Sequence, residues 1–321
     1  THRRQPYDSL PVLHKTVATD GLEFICRTAR RDPPMAVLRT AVSMLSSSLL
    51  PCGHAGGREL DAAAIRMEKA KALIAKTATL VAAIGRARQD LPPLDSQPRL
   101  GHAANFFAML QDSPASQEAC QALNTALVLH ADHELNAGTF VARAVASTES
   151  DMVSAVTAAI ASLKGRLHGG ANTAVMHMLR EVGSEENVSA WLDQALGHKR
   201  LIMGFGHRVY RTGDPRAKHL RRLARTWCDR VGQSKWFRIS DAIDRQMRER
   251  KGLHPNVDFY SASFYHALGI DAELYTPLFA VSRMAGWTAH VLEQRADNRL
   301  IRPRAEYIGP GPRPYVPLSR R

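Results

Sequence analysis

The chain has 321 residues, 45% of them hydrophobic, and a formal charge of +13, which suits one large core or two smaller ones and excludes disorder of the whole. No run of eighteen apolar residues occurs, and Thr1 to Pro6 lead into no signal-peptide stretch, so a cytoplasmic protein is expected. Cys26, Cys52, Cys120 and Cys228 are scattered with no Cys-x-x-Cys pair, which argues against a disulfide framework and a cysteine zinc site.

Apolar periodicity reads helical nearly throughout, and no stretch alternates as a half-buried strand would, so the fold class is mainly α. From Leu60 to Arg86 an alanine-rich segment sets Leu73, Thr77, Leu80 and Ile84 on one stripe, with Lys69, Lys71 and Lys76 largely elsewhere. Further helices are predicted near 103–111, 117–136, 150–163, 171–182, 187–196, 216–231, 239–250, 258–268 and 277–294. Glycine or proline punctuates most gaps, as at Gly169-Gly170, Gly204 to Gly213, Gly252 to Pro255 and Gly269. Residues 208 to 251 carry 14 Lys or Arg against 5 Asp or Glu. Such a block is either a solvated helix face or a surface for a polyanion: nucleic acid, a membrane, or a small ligand with several phosphates. The tail from Gly309 to Pro314 cannot be helical and is expected to run extended over another surface.

Four segments hold polar groups that a core-building helix does not need. In Gly204-Phe205-Gly206-His207 and onward to Asp214-Pro215-Arg216, glycines allow close backbone approach to a ligand. His207 can exchange a proton near neutrality, and Arg216 can grip a carboxylate with a bidentate fork. His130 and His133, three apart, would share a helix face, as metal ligands or as buried structural histidines, but no third ligand stands nearby. His168 precedes a helix opened by glycines, where the dipole end would keep it neutral, either to donate a hydrogen bond to a forming oxyanion or merely to cap and pack. Asp258, between apolar and aromatic neighbours, is either a desolvated base or a helix N-cap.

Together these segments resemble the citrate synthase family, which includes the 2-methylcitrate synthases. The likeness runs from Pro34-Met35-Ala36-Val37-Leu38-Arg39-Thr40-Ala41-Val42-Ser43 to the C-terminus, through Ala104-Asn105-Phe106, the His130 to Thr139 segment, Leu167 to Asn172, the Gly204 to Arg216 loop, Asn256 to Tyr260 and Phe279 to Trp287. The resemblance implies two helical domains, a large one of residues 1–173 with 283–321 and a small mobile one of 174–282 that binds CoA. It also implies condensation of acetyl-CoA with oxaloacetate to citrate and CoA, or of propionyl-CoA in the 2-methylcitrate variant, with no metal and no tightly bound cofactor.

Carried over position by position, Asp258 would be the base, His168 would hydrogen-bond the thioester oxygen, and His207 would polarise the ketone. His133, Arg216 and Arg283 would hold oxaloacetate, and Arg302 would reach in from the partner subunit of a homodimer. CoA phosphates would give the basic block a purpose. A nucleic-acid-binding protein is the rival of another class, although the block carries no recognised binding motif. Residues 1–33 do not match the family's usual opening, Arg166 stands where proline is common, and Gly138 where serine is usual.

Overall fold

The computed structural model describes residues 17, 19–47, 49, 54–55, 58–59, 62–97, 99–165, 168–207 and 209–321. Cys52, Leu60, Arg166, Leu167, Arg208 and the first sixteen residues lie outside them. Among the described residues thirteen α-helices run in order, with one antiparallel pair of two-residue strands, β1 (His54–Ala55) and β2 (Arg58–Glu59). The mainly α expectation therefore holds.

The helices are α1 (Thr19–Thr28), α2 (Pro34–Met44), α3 (Ala62–Ala87), α4 (His102–Gln111), α5 (Gln117–His130), α6 (Ala137–Ser147) and α7 (Met152–Leu163). They continue with α8 (Ala171–Val182), α9 (Val188–Gly197), α10 (Ala217–Arg230), α11 (Ser234–Lys251), α12 (Val257–Ala267) and α13 (Tyr275–Ala296). Three of them, α1, α2 and α6, fall where no helix is predicted from periodicity. Proline at the first position starts α2, where its missing N–H costs nothing.

Helix α3 is central rather than one-sided. Leu73, Thr77, Leu80 and Ile84 are buried as expected, but Lys76 is buried too, and desolvation lowers its pKa. From Ala70 onward small alanines let neighbours close in on most sides, and α13 packs along it. The helix predicted over 117–136 ends early, at His130. Chain direction changes after His130, Glu134 takes a φ of +47°, and Asn136 caps α6 by accepting the Thr139 N–H at 3.2 Å. The sequence pattern carries that helix through Asn136 and shows none over 137–147, because the Asn136 cap and the close contact of Gly138 with Trp287 are not local signals.

Helices α10 and α11 pack on α12, α8 also packs on α12, and α9 packs on α11, while α13 packs on α3, α5, α6 and α7. On the basic stretch, Arg221, Arg230, Arg238, Arg248 and Arg250 are ion-paired with Asp241, Glu118, Glu185, Asp244 and Asp193. Among the described residues, no helix is long and apolar enough to cross a membrane.

Candidate active site

Backbone geometry brings the two most informative segments together. Gly204 has a φ of +81°, and a Cβ there would lie 2.9 Å from Phe259 and Val175, so only glycine lets the loop pass this close to α12 and α8. The Asn256 N–H then donates to the Gly204 carbonyl at 2.9 Å and the Gly206 N–H to the His254 carbonyl at 3.1 Å. Asn256 adds two side-chain bonds. Its Oδ1 accepts the Asp258 N–H at 3.0 Å, capping α12, and its Nδ2 donates to the Gly206 carbonyl at 3.0 Å.

Six of the seven predicted side chains, His133, His168, His207, Arg216, Asp258 and Arg283, line one cavity of about 500 Å³. A larger cavity of about 620 Å³, between the start of α2 and α8, contains none of them. Chemistry rather than volume identifies the site.

Because Asn256 does the capping, the carboxyl of Asp258 is left for other work. Its Oδ1 is buried with no hydrogen-bond partner among the described residues, and burial pushes its pKa up to about 7, against the pull of Arg216 and Arg283. His168 Nε2 is likewise buried and unpaired, and its basicity is lowered by burial first and by the charge of Arg283 second. The helix end expected from sequence stands beside it, since α8 opens at Ala171.

His207 shows which nitrogen carries its proton. Nδ1 accepts the main-chain N–H of Val209 at 3.0 Å and of Tyr210 at 3.2 Å, so the neutral ring holds its hydrogen on Nε2. Burial keeps its pKa low, with Asp214 opposing and Arg216 assisting. His133 meets the His207 ring edge-on at 5.0 Å between centroids, and its Nε2 lies 3.1 Å from the Tyr210 hydroxyl. Its pKa is lowered by burial and then by Arg216.

The shared face expected for His130 and His133 does not exist, because α5 ends between them. His130 is fully buried, its Nδ1–H donating to the Ala126 carbonyl at 2.8 Å, and its own carbonyl accepts Arg283 Nε–H at 2.7 Å. Its role is to hold an arginine. Arg283, 2% exposed, also stacks over Phe279 at 4.8 Å. Arg216 is gripped by Asp214, and its Nη1 is buried without a partner among the described residues. Among the described residues no three His, Cys, Asp or Glu side chains are placed to hold a metal ion.

Arg302 is exposed on the segment after α13 and does not line the cavity within one chain. Asn256 and Tyr210 are the contributors that sequence reasoning leaves without roles. The Asn-x-Asp spacing before an apolar helix was the signal for the first.

The family model described as citrate synthase, C-terminal domain, matches residues 9–304. The chain belongs to the citrate synthase family. It is an enzyme of the acyltransferase type, and its reaction is the family's condensation of an acyl-CoA with oxaloacetate. "Citrate synthase 2" of Bacillus subtilis is 50% identical over 288 residues, covering 90% of this chain and 76% of the relative. A 2-methylcitrate synthase of Mycobacterium tuberculosis is 44% identical over 289 residues, covering 90% of this chain and 71% of the relative. The solved ternary complex of Thermoplasma acidophilum citrate synthase with carboxymethyl coenzyme A and oxaloacetate superimposes with a TM-score of 0.88 at 32% identity, covering 98% of this chain and 83% of that one. Since the family match begins at residue 9, part of the opening read as foreign to the family belongs to it.

Proposed function

We propose that this enzyme condenses acetyl-CoA with oxaloacetate, using Asp258, His168 and His207 as its acid–base groups. One observation carries the assignment: Asp258 Oδ1, His168 Nε2 and Arg216 Nη1 are buried, unpaired and gathered at one cavity. Buried polar atoms are seldom left unpaired. A ligand pair that brings an acidic C–H, a carbonyl oxygen and a carboxylate meets all three.

Asp258, with its pKa near neutrality, removes a proton from the thioester methyl group. Neutral His168 hydrogen-bonds the thioester oxygen as negative charge gathers there. The enol carbon adds to the ketone carbon of oxaloacetate, while His207 donates its Nε2–H to the ketone oxygen and protonates the alkoxide. Water then cleaves the citryl thioester, releasing CoA. Arg216, Arg283 and His133 hold the oxaloacetate dianion.

Residues 174–282 serve in this reading as the small CoA-binding domain. Its ends fall inside α8 and α13, and α9 to α12 pack on one another between them. CoA phosphates lie toward its basic face. Arg302 joins the site from a second copy of the chain in a homodimer. In support, the tail bearing it is extended, and Tyr307 and Ile308 are 79% and 93% exposed, apolar surface that a partner would cover.

Release of CoA thiol from acetyl-CoA or propionyl-CoA in the presence of oxaloacetate tests the assignment. Higher kcat/KM with acetyl-CoA is expected, and near-complete loss of turnover in Asp258→Ala with oxaloacetate binding retained. A preference for propionyl-CoA would establish the 2-methylcitrate reading, which has the mycobacterial relative in its favour.

A further inference from the structure

Asp214 makes more of its surroundings than any other carboxylate near the cavity. Its side chain is 0% exposed. Oδ1 accepts the main-chain N–H of Arg216 and its Nε–H, each at 2.9 Å, and Oδ2 accepts Arg216 Nη2–H at 2.8 Å. Oδ2 also accepts the main-chain N–H of Val257 at 3.0 Å, across 43 residues of sequence. Val257 is the residue before Asp258 and the first of α12. One carboxylate therefore ties the start of α10, with Arg216, to the start of α12, with the base.

The two ends do different jobs. The fork occupies Nε and Nη2 of Arg216 and leaves Nη1 as the guanidinium nitrogen without a described partner, buried at the cavity. The Val257 bond, beside the Asn256 cap, fixes the first turn of α12 and so the direction in which Asp258 leaves it. Base and anion grip must agree in position, since a misplacement of about 1 Å can cost about 100-fold in rate.

We propose that Asp214 is a positioning residue, a bracket that locks the carboxylate-gripping Arg216 and the turn carrying Asp258 into one rigid unit. It touches no reacting atom. The inference rests on the condensing-enzyme reading of the cavity given above.

Two substitutions separate the bracket from a merely stabilising ion pair. Asp214→Asn keeps the volume but cannot receive the arginine fork. Val257→Pro deletes the second arm and leaves the arginine fork, and Val257→Ala, which keeps the N–H, controls for the buried side chain that also lines the cavity. Proline suits the first helical position, and Asn256 before it is already extended at φ −95°, ψ −175°. The measurements are kcat per folded site and oxaloacetate affinity by calorimetry. Asp214→Asn is expected to weaken oxaloacetate binding about tenfold or more and to lower kcat about tenfold or more. Val257→Pro is expected to lower kcat about tenfold while oxaloacetate affinity stays within about twofold of wild type.

A folded Val257→Pro enzyme with wild-type kcat overturns the proposal. So does an Asp214→Asn enzyme whose oxaloacetate affinity is unchanged and whose activity falls only with its folded fraction. If Asp214→Asn does not fold, Val257→Pro alone decides. Failure of the underlying reading looks different: the wild type then releases no thiol with either acyl-CoA, and calorimetry on wild type and Asp214→Asn still decides the Arg216 arm.

Discussion

Asn256 Nδ2 reaches the carbonyl of Gly206 at 3.0 Å while Asn256 Oδ1 caps the helix that carries Asp258, so one amide side chain sets the spacing between the His207 loop and the base. Removing it should loosen both at once. Asn256→Ala is expected to cost about 1 kcal/mol of stability as a lost cap. It is also expected to reduce kcat about tenfold or more, because the two acid–base groups lose their common tie. Chemical denaturation and steady-state kinetics on the same preparation check this. A stability loss with unchanged kcat would show that Asn256 is a cap and nothing more.

The pH dependence follows from Asp258. Its pKa is about 7 in the folded chain against an ordinary 3.8. Between those values the folded state keeps a proton that the unfolded state has released, so this group's contribution to stability declines as pH rises and is gone above about 7. Activity runs the opposite way, since the base works only when ionised. The pH profile of kcat/KM, which reports groups of the free enzyme, should rise with a midpoint near 7. Asp258→Asn should be inactive yet melt at least about 2 °C higher than wild type at pH 8. A variant that melts lower would contradict an uncompensated buried carboxylate.

Gly286 donates its N–H to the Ala131 carbonyl at 3.0 Å, and a Cβ there would lie 2.3 Å from that oxygen. Backbone cannot yield as a flexible side chain does. Gly286→Ala is therefore expected to push the 131–136 connection, with His133, away from α13 and to destabilise by about 1–3 kcal/mol. KM for oxaloacetate should rise several-fold more than KM for the acyl-CoA. Equal shifts in both would argue against a local effect on the His133 segment.

Sharing of the site between subunits predicts complementation. Arg302→Ala and Asp258→Ala chains, each inactive alone, should regain activity after verified subunit exchange, because one of the two sites in a mixed dimer then has both groups intact. No recovery would place Arg302 outside the partner's site.

Much of the site was legible because its residues sit at the ends of elements, where turn chemistry leaves marks. His168 directly precedes Gly169, Gly204 and Gly206 flank Phe205 just before His207, and Asp258 follows Asn256 by two residues. The environment that gives them their properties was less so. Desolvation and the charge of Arg283 depress His168, and Asn256, not Asp258, is the cap. These depend on contacts from distant segments. For the same reason α6 is absent from the pattern: Trp287, more than a hundred residues on, is what demands a glycine at 138. Lys76 reads as solvent-facing because its burial comes from helices on the other side of α3. Arg302 was found through family likeness, since nothing in an exposed extended segment marks one arginine among several.

The hydrogen on His207 is placed by the amides of Val209 and Tyr210, not by any side chain. A systematic replacement of this loop by alanine would pass over that device entirely. The device itself requires only that neither position be proline; the Tyr210 side chain, its hydroxyl 3.1 Å from His133 Nε2, serves a separate contact.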